Sequence, residues 1–199
     1  MKQEVTVMGQ EFELKFAATE AQQDAISAAY GPWATIEMET TYFDTPSHAF
    51  SARHITARRR LENGVSICTV KTPMPDGARG EWECECEDLM QAFSTLCKLG
   101  LPESVACLAE AGLITVCGAR FTRHACVLKL ESATLELALD KGVLLGGSKE
   151  IPLCEVEVEL KDGSREAVTA FAAALADNHG LVAEHKSKFR RAMILAEGE

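Results

Sequence analysis

Charge returns every second residue along much of this chain, with apolar residues in the gaps, and that beat admits few folds. Glu11, Glu13 and Lys15 alternate with Phe12, Leu14 and Phe16. Successive side chains of a strand point to opposite sides, so the charged residues share one face and the apolar ones the other. The pattern recurs at Arg58 and Arg60, and at Arg79, Glu81, Glu83 and Glu85. It returns at Glu136 and Asp140, set against Leu135, Leu137 and Leu139, and at Glu155, Glu157 and Glu159. One such segment reads as a half-exposed strand with its charges in water. Repetition adds a second option. A flat sheet would spread the charges over a solvent face, whereas a closed barrel would turn them inward across a polar tunnel and let helices cover part of its apolar outside.

Local signals place the elements. Strands are predicted at residues 4–17, 36–43, 55–61, 65–72, 80–87, 115–122, 125–130, 134–140 and 153–160. Asn63-Gly64 is a two-residue hairpin signal that makes the strands on either side antiparallel neighbours. A helix starts at the cap Thr19 and stops before Gly31-Pro32. Another begins after Asp88, breaks at Gly100-Leu101-Pro102 and resumes through residue 111. Residues 164–179 form an amphipathic helix stopped by Gly180, and residues 187–196 a last helix carrying Lys188, Arg190 and Arg191.

The bulk properties exclude more than they identify. With 199 residues the chain has room for a sizeable core, and no linker forces a split, so residues 1–199 read as one domain. A net charge of −10 argues against a general nucleic-acid surface. There is no apolar run of membrane-spanning length and no secretory core near the start, which points to the cytosol and away from a membrane partner. The 8 cysteines contain no Cys-x-x-Cys pair and read as small apolar residues in a reducing compartment.

Taken in order, these segments resemble the CYTH superfamily of triphosphate tunnel metalloenzymes over nearly the full chain. The carriers are Glu11-x-Glu13-x-Lys15, Tyr42-Phe-Asp-Thr-Pro46, Arg58-x-Arg60, Thr69-Val-Lys71 and Arg79-x-Glu81. They continue with Arg123, Glu136-x-Ala-x-Asp140, Glu155-x-Glu-x-Glu159 and Ser187-Lys188. The resemblance implies an α+β fold: an eight-stranded antiparallel β-barrel with helices packed on the outside, whose bore binds a triphosphate and a divalent metal. Members hydrolyse inorganic tripolyphosphate or thiamine triphosphate, remove the terminal phosphate of RNA, or cyclise ATP.

Such chemistry assigns the charges. Hard cations, Mg2+ or Mn2+, prefer carboxylate oxygens, which suits Glu11, Glu13, Glu157 and Glu159, with Glu155 beside them. Asp140, with Glu136, would serve a second ion that activates water. Lys15, Arg58, Arg60, Lys71, Arg79, Arg123 and Lys188 would line the bore and hold phosphate oxygens. Lys15 and Arg58 are also candidates for the catalytic step, and Glu81 would orient or deprotonate water. Arg59 should point outward, Glu83 and Glu85 read as exposed or tunnel-mouth charges, and residues 42–46 shape a turn. The scarcity of Trp and Tyr, 2 each, favours a substrate held by charge alone, inorganic tripolyphosphate cleaved to pyrophosphate and phosphate. Thiamine triphosphatase and class IV-like adenylate cyclase are the alternatives, and a non-catalytic polyphosphate- or nucleotide-binding module is a reading of another class. Oligomeric state is not legible in the sequence.

Overall fold

In a computed structural model the protein is described over residues 12–74 and 79–198. Its strands are β1 (Glu13–Ala17), β2 (Ala34–Asp44), β3 (Thr56–Glu62), β4 (Val65–Pro73), β5 (Arg79–Glu85), β6 (Ile114–Lys129), β7 (Ala133–Gly146), β8 (Lys149–Gly163) and β9 (Val182–Ala183). Among the described residues five α-helices accompany them, α1 (Glu20–Ala29), α2 (Leu89–Lys98), α3 (Glu103–Ala109), α4 (Arg165–His179) and α5 (Lys188–Glu197). The strands form one sheet in the order β5-β4-β3-β2-β6-β7-β8-β1-β9, and neighbouring strands run antiparallel. Eight strands are substantial and the ninth has only 2 residues. Among the described residues the ladder ends at β5 and β9 instead of joining them.

Local chemistry explains the boundaries. Asn63 and Gly64 take φ of 50° and 86°, the left-handed pair that a tight turn between β3 and β4 requires. Thr19 and Gln22 cap α1 reciprocally, Asp88 caps α2, and Ser164 caps α4, each supplying an acceptor to an otherwise orphaned N–H. Of the 42–46 segment, expected to shape a turn, residues 42–44 are the end of β2, paired with β6, and the chain turns only after them. Asp44, fully buried, accepts hydrogen bonds from the N–H groups of Thr45, Phe50 and Ser51 and from the Ser51 hydroxyl.

One sequence expectation joins two strands into one. Residues 115–122 and 125–130 lie in the single 16-residue β6, because Arg123 and His124 stay in register with both β2 and β7.

Period-two alternation divides the sheet cleanly. Its outer face carries Leu135, Leu137, Leu139, Val156 and Val158, which pack with α1 and α4 through Ile26, Val168, Ala172 and Leu175. Farther along, Ala57, Cys68, Val70 and Trp82 pack with α2 and α3. These helices lie outside, as expected, but α5 does not. It sits on the inner face, where Ala192 and Met193 meet Met38 and Tyr42 of β2, Ala119 and Phe121 of β6, Leu144 of β7 and Leu153 of β8. The charged face is therefore apolar toward one end, and α5 covers that end.

The close approach at Gly146 leaves no room for a side chain. A Cβ there would lie 2.5 Å from the Ala196 nitrogen and 2.7 Å from the Ala192 oxygen, both backbone atoms of α5. Gly146→Ala is expected to cost about 1–3 kcal/mol of stability by displacing α5. Chemical denaturation of the two proteins checks this, and equal midpoints would mean that α5 is not seated on β7.

Candidate active site

Register fixes which charges meet. On β6, β7, β8 and β1 the inner face is ruled into rows. One row contains Arg123, Asp140 and Glu155, and the next contains Ala138, Glu157 and Lys15. A third contains Glu136, Glu159 and Glu13. On the other wing, Tyr42, Arg58, Thr69 and Glu83 form a row, flanked by Lys71 with Glu81 and by Thr40 with Arg60.

The deepest group is a buried ion network. Asp140 and Glu155 are 0% exposed and Glu157 is 6% exposed. One carboxylate oxygen from each of these acids lies within 4.8 Å of the others. Arg123 donates Nε to Asp140 Oδ1 at 2.8 Å and Nη2 to Asp140 Oδ2 at 2.7 Å, and its Nη2 also contacts Glu157 Oε2. Lys188 Nζ reaches Asp140 Oδ2 and Glu157 Oε1, each at 2.7 Å, and contacts Glu155 Oε1. Arg191 Nη2 closes the set on Glu155 Oε2. Every oxygen of the three carboxylates thus faces a cationic donor. Behind the network, the buried Gln23 amide donates to the Asp140 and Glu155 carbonyls at 3.0 and 2.9 Å, tying α1 to β7 and β8.

Titration follows from these contacts. Burial opposes the charge of Lys188, but Glu157, Asp140 and Glu155 outweigh it and hold the ammonium protonated well beyond its ordinary range. Burial likewise opposes ionisation of Glu157, and Lys188 and Arg123 overcome it, holding this carboxyl well below the usual 4.5. Burial pushes Glu155 up despite Lys188 and Arg191.

The second wing is more exposed, and its cations are also paired with acids. Glu81 lies 3.2 Å from Lys71 and 3.7 Å from Arg58. Arg60 lies 3.1 Å from Glu62, and burial followed by the proximity of Arg58 lowers its affinity for a proton. The Nε atoms of Arg58, Arg60 and Arg191 are buried and make no hydrogen bond among the described residues. Buried donors without acceptors are costly, and crowded cations on an inward face are what a polyanion would relieve. Arg79 is exposed at the edge, donating to the His54 carbonyl at 3.3 Å and the Thr56 hydroxyl at 3.2 Å.

At the third row, Glu13 lies 3.1 Å from Lys15, while Lys161 lies 2.8 Å from Glu159 and 3.9 Å from Glu136. Of the expected metal ligands, the structure brings Asp140, Glu155 and Glu157 together, and places Glu13 opposite Glu159 on neighbouring strands. Glu11 lies outside the described residues. Lys188, expected as a phosphate ligand, instead has all three of its N–H donors facing carboxylates. Arg59 points outward, donating to Ser66 Oγ at 3.0 Å and lying 3.6 Å from Glu87. Glu83 is on the inner face and not simply at its mouth: burial, then Glu81, raises its carboxyl above the ordinary range, against Arg58 and Arg60.

Sequence reasoning missed Arg191, although its three-residue spacing from Lys188 places both on one helix face. It also missed Phe121, over whose ring Arg123 and Lys188 lie at 5.9 and 5.1 Å from the centroid.

The oxygens of Asp140, Glu155 and Glu157 converge closely enough to hold a metal ion. None of the 8 cysteines is in a disulfide. Among the described residues, no helix is long and apolar enough to cross a membrane.

Comparison with known proteins gives a consistent pattern. Residues 9–193 match the CYTH domain. The inorganic triphosphatase of Haemophilus influenzae is 24% identical over 196 residues, which are 95% of this chain and 56% of that protein. The chain thus spans little more than half the length of that relative. Among solved structures, HpAC1 from Hippeastrum, in which triphosphatase activity is dominant, superimposes with a TM-score of 0.64 at 17% identity. The superposition covers 95% of this chain and 96% of that one. PH1819 from Pyrococcus horikoshii OT3 gives a TM-score of 0.61 at 22% identity, covering 95% and 99% of the two chains.

Glu157 sets an acid limit on stability. With its folded value below the unfolded one, it contributes stability that is present above 4.5 and lost as pH falls through the depressed value. Glu155, shifted upward, contributes the opposite sign above 4.5, so the loss begins below that pH. Denaturation from about pH 7 to about pH 3 should show this limb. Glu157→Gln should flatten it and lower neutral stability by about 3–5 kcal/mol; an unchanged limb would remove Glu157 from the network.

Proposed function

The chain belongs to the CYTH domain family, and from that premise we propose that it hydrolyses inorganic tripolyphosphate to pyrophosphate and phosphate in a metal-dependent reaction on the inner face of the sheet. The observation that carries this reading is the set of inward arginines with buried, unbonded Nε donors next to rows of hard carboxylates. A triphosphate needs both at once. Its oxygens require several cationic donors, and its attack by water requires the charge on phosphorus to be drawn off.

Arg58, Arg60 and Lys71 hold the phosphate chain along β3 and β4, with Lys15 and Arg123 facing it from β1 and β6. Arg79 guides the anion at the edge. Glu11, Glu13, Glu157 and Glu159 would hold Mg2+ or Mn2+, and Asp140 and Glu155 would share Glu157 with them toward a second ion. When bound, the metal neutralises phosphate charge and polarises the phosphoryl oxygens. Glu81, oriented by Lys71 and Arg58, accepts a hydrogen bond from the attacking water and aligns it with the terminal phosphorus. Arg58 and Lys15 stabilise charge on the departing pyrophosphate. The cytosol is a fitting compartment for such a substrate.

Phosphate release by metal-stripped protein, with Mg2+ or Mn2+ added back, tests the substrate. Tripolyphosphate should be turned over faster than thiamine triphosphate or ATP. Preference for thiamine triphosphate, or cyclic AMP formed from ATP, would move the reaction to another member activity, and tight binding without turnover would leave a binding module. In the same assay Arg58→Ala should lower kcat/KM by about 100-fold to 1,000-fold. Arg59→Ala, on the outer face, should change it by less than about threefold. Equal effects would show that the charged face is not where substrate binds.

A further inference from the structure

The first turn of α5 is built against its own dipole. Lys188, Arg190 and Arg191 stand where a helix favours negative charge, and no acidic residue accompanies them in that turn. Ser187 caps one N–H, that of Arg190 at 3.1 Å, but does not offset the charge. What offsets it is the Asp140, Glu155 and Glu157 group, which Lys188 and Arg191 enter from the helix.

Lys188 Nζ is surrounded there by one oxygen from each of three acids, and these acids are the group whose oxygens converge closely enough to hold an ion. The ammonium stands where a divalent cation would have to stand. We propose that Lys188 is a tethered internal competitor for this cation position, so that loading of a divalent ion onto Asp140, Glu155 and Glu157 and seating of the first turn of α5 exclude one another. The inference rests on the reading of the site as metal-dependent, and adds that α5 responds to the metal.

Two features give the exclusion its force. The carboxylates carry as many charges as Lys188, Arg123 and Arg191 supply, so a divalent ion leaves the cluster balanced only if the two cations of α5, Lys188 and Arg191, both withdraw. Arg123 is fixed on a central strand and fork-bonded to Asp140. Lys188 and Arg191 belong to the first turn of α5, and the rest of the helix is held on the sheet separately, by Phe189 against Tyr42, by Ala192 and Met193, and by the close approach to Gly146. Release of this turn would return Lys188 to the inner face with free N–H donors, available to a phosphate.

Mn2+ titration of the metal-free protein, without substrate, tests this with two readouts. Hydrogen exchange should show the α5 amides of the wild-type protein losing protection by about tenfold or more as Mn2+ saturates, while the amides of α4 do not change. Free Mn2+ followed by electron paramagnetic resonance should show Lys188→Met binding the ion about tenfold more tightly than wild type. Unchanged protection of α5 at saturating Mn2+ overturns the proposal even if the variant fails to fold, and so does equal Mn2+ affinity of variant and wild type. Tripolyphosphate turnover by the same wild-type preparation separates the two levels. Turnover with α5 fully protected sinks the competition alone, whereas no Mn2+ binding and no turnover sink the metal-dependent reading with it.

Discussion

A buried carboxylate must find a cation, and this sheet holds three acids so deeply that their pairing fixes the geometry around them. Removing an ion from water costs several kcal/mol unless contacts of good geometry return it. Arg123 from β6 and Lys188 and Arg191 from α5 make those contacts. Helix α5 is consequently drawn onto the charged face, where its apolar residues close over Met38, Tyr42, Phe121 and Leu153. Had the acids been apolar, α5 would have no electrostatic reason to enter.

The two wings of the inner face divide the work differently. Both wings pair most of their charges internally, but the β3–β5 wing crowds Arg58 and Arg60 together, each with a buried Nε that has no acceptor among the described residues, and burial with this crowding depresses the proton affinity of Arg60. An anion is attracted to the second wing and a cation to the carboxylates of the first. A molecule that carries phosphates and binds a divalent ion spans both. The outer face offers no comparable concentration of buried cations among the described residues; it is given over to the apolar packing of α1 to α4.

Parity was the part of this structure that the sequence made legible. Because side chains alternate strictly, Arg58 and Arg60 had to share a face that Arg59 could not, and Glu155, Glu157 and Glu159 had to line up. The Asn63-Gly64 turn and the Thr19 cap were equally local, and so readable. Register was not. Which acid stands beside which depends on strand pairing across long separations, and it is this pairing that turns Lys188 toward three carboxylates and Glu83 toward Arg58 and Arg60. The amphipathic pattern of α5 shows that one side is buried, but carries no information about which face of the sheet buries it. Likewise, the polar pair Arg123-His124 looked like a break between strands, and only tertiary hydrogen bonding to β2 and β7 carries β6 through it.

A crystal structure with tripolyphosphate and Mn2+ bound would test the central claim most directly. The account predicts phosphate oxygens on Arg58, Arg60 and Lys71, and anomalous scattering from manganese at the inner-face carboxylates of β1 and β8. Triphosphate bound on the outer face, or manganese away from those carboxylates, would contradict it.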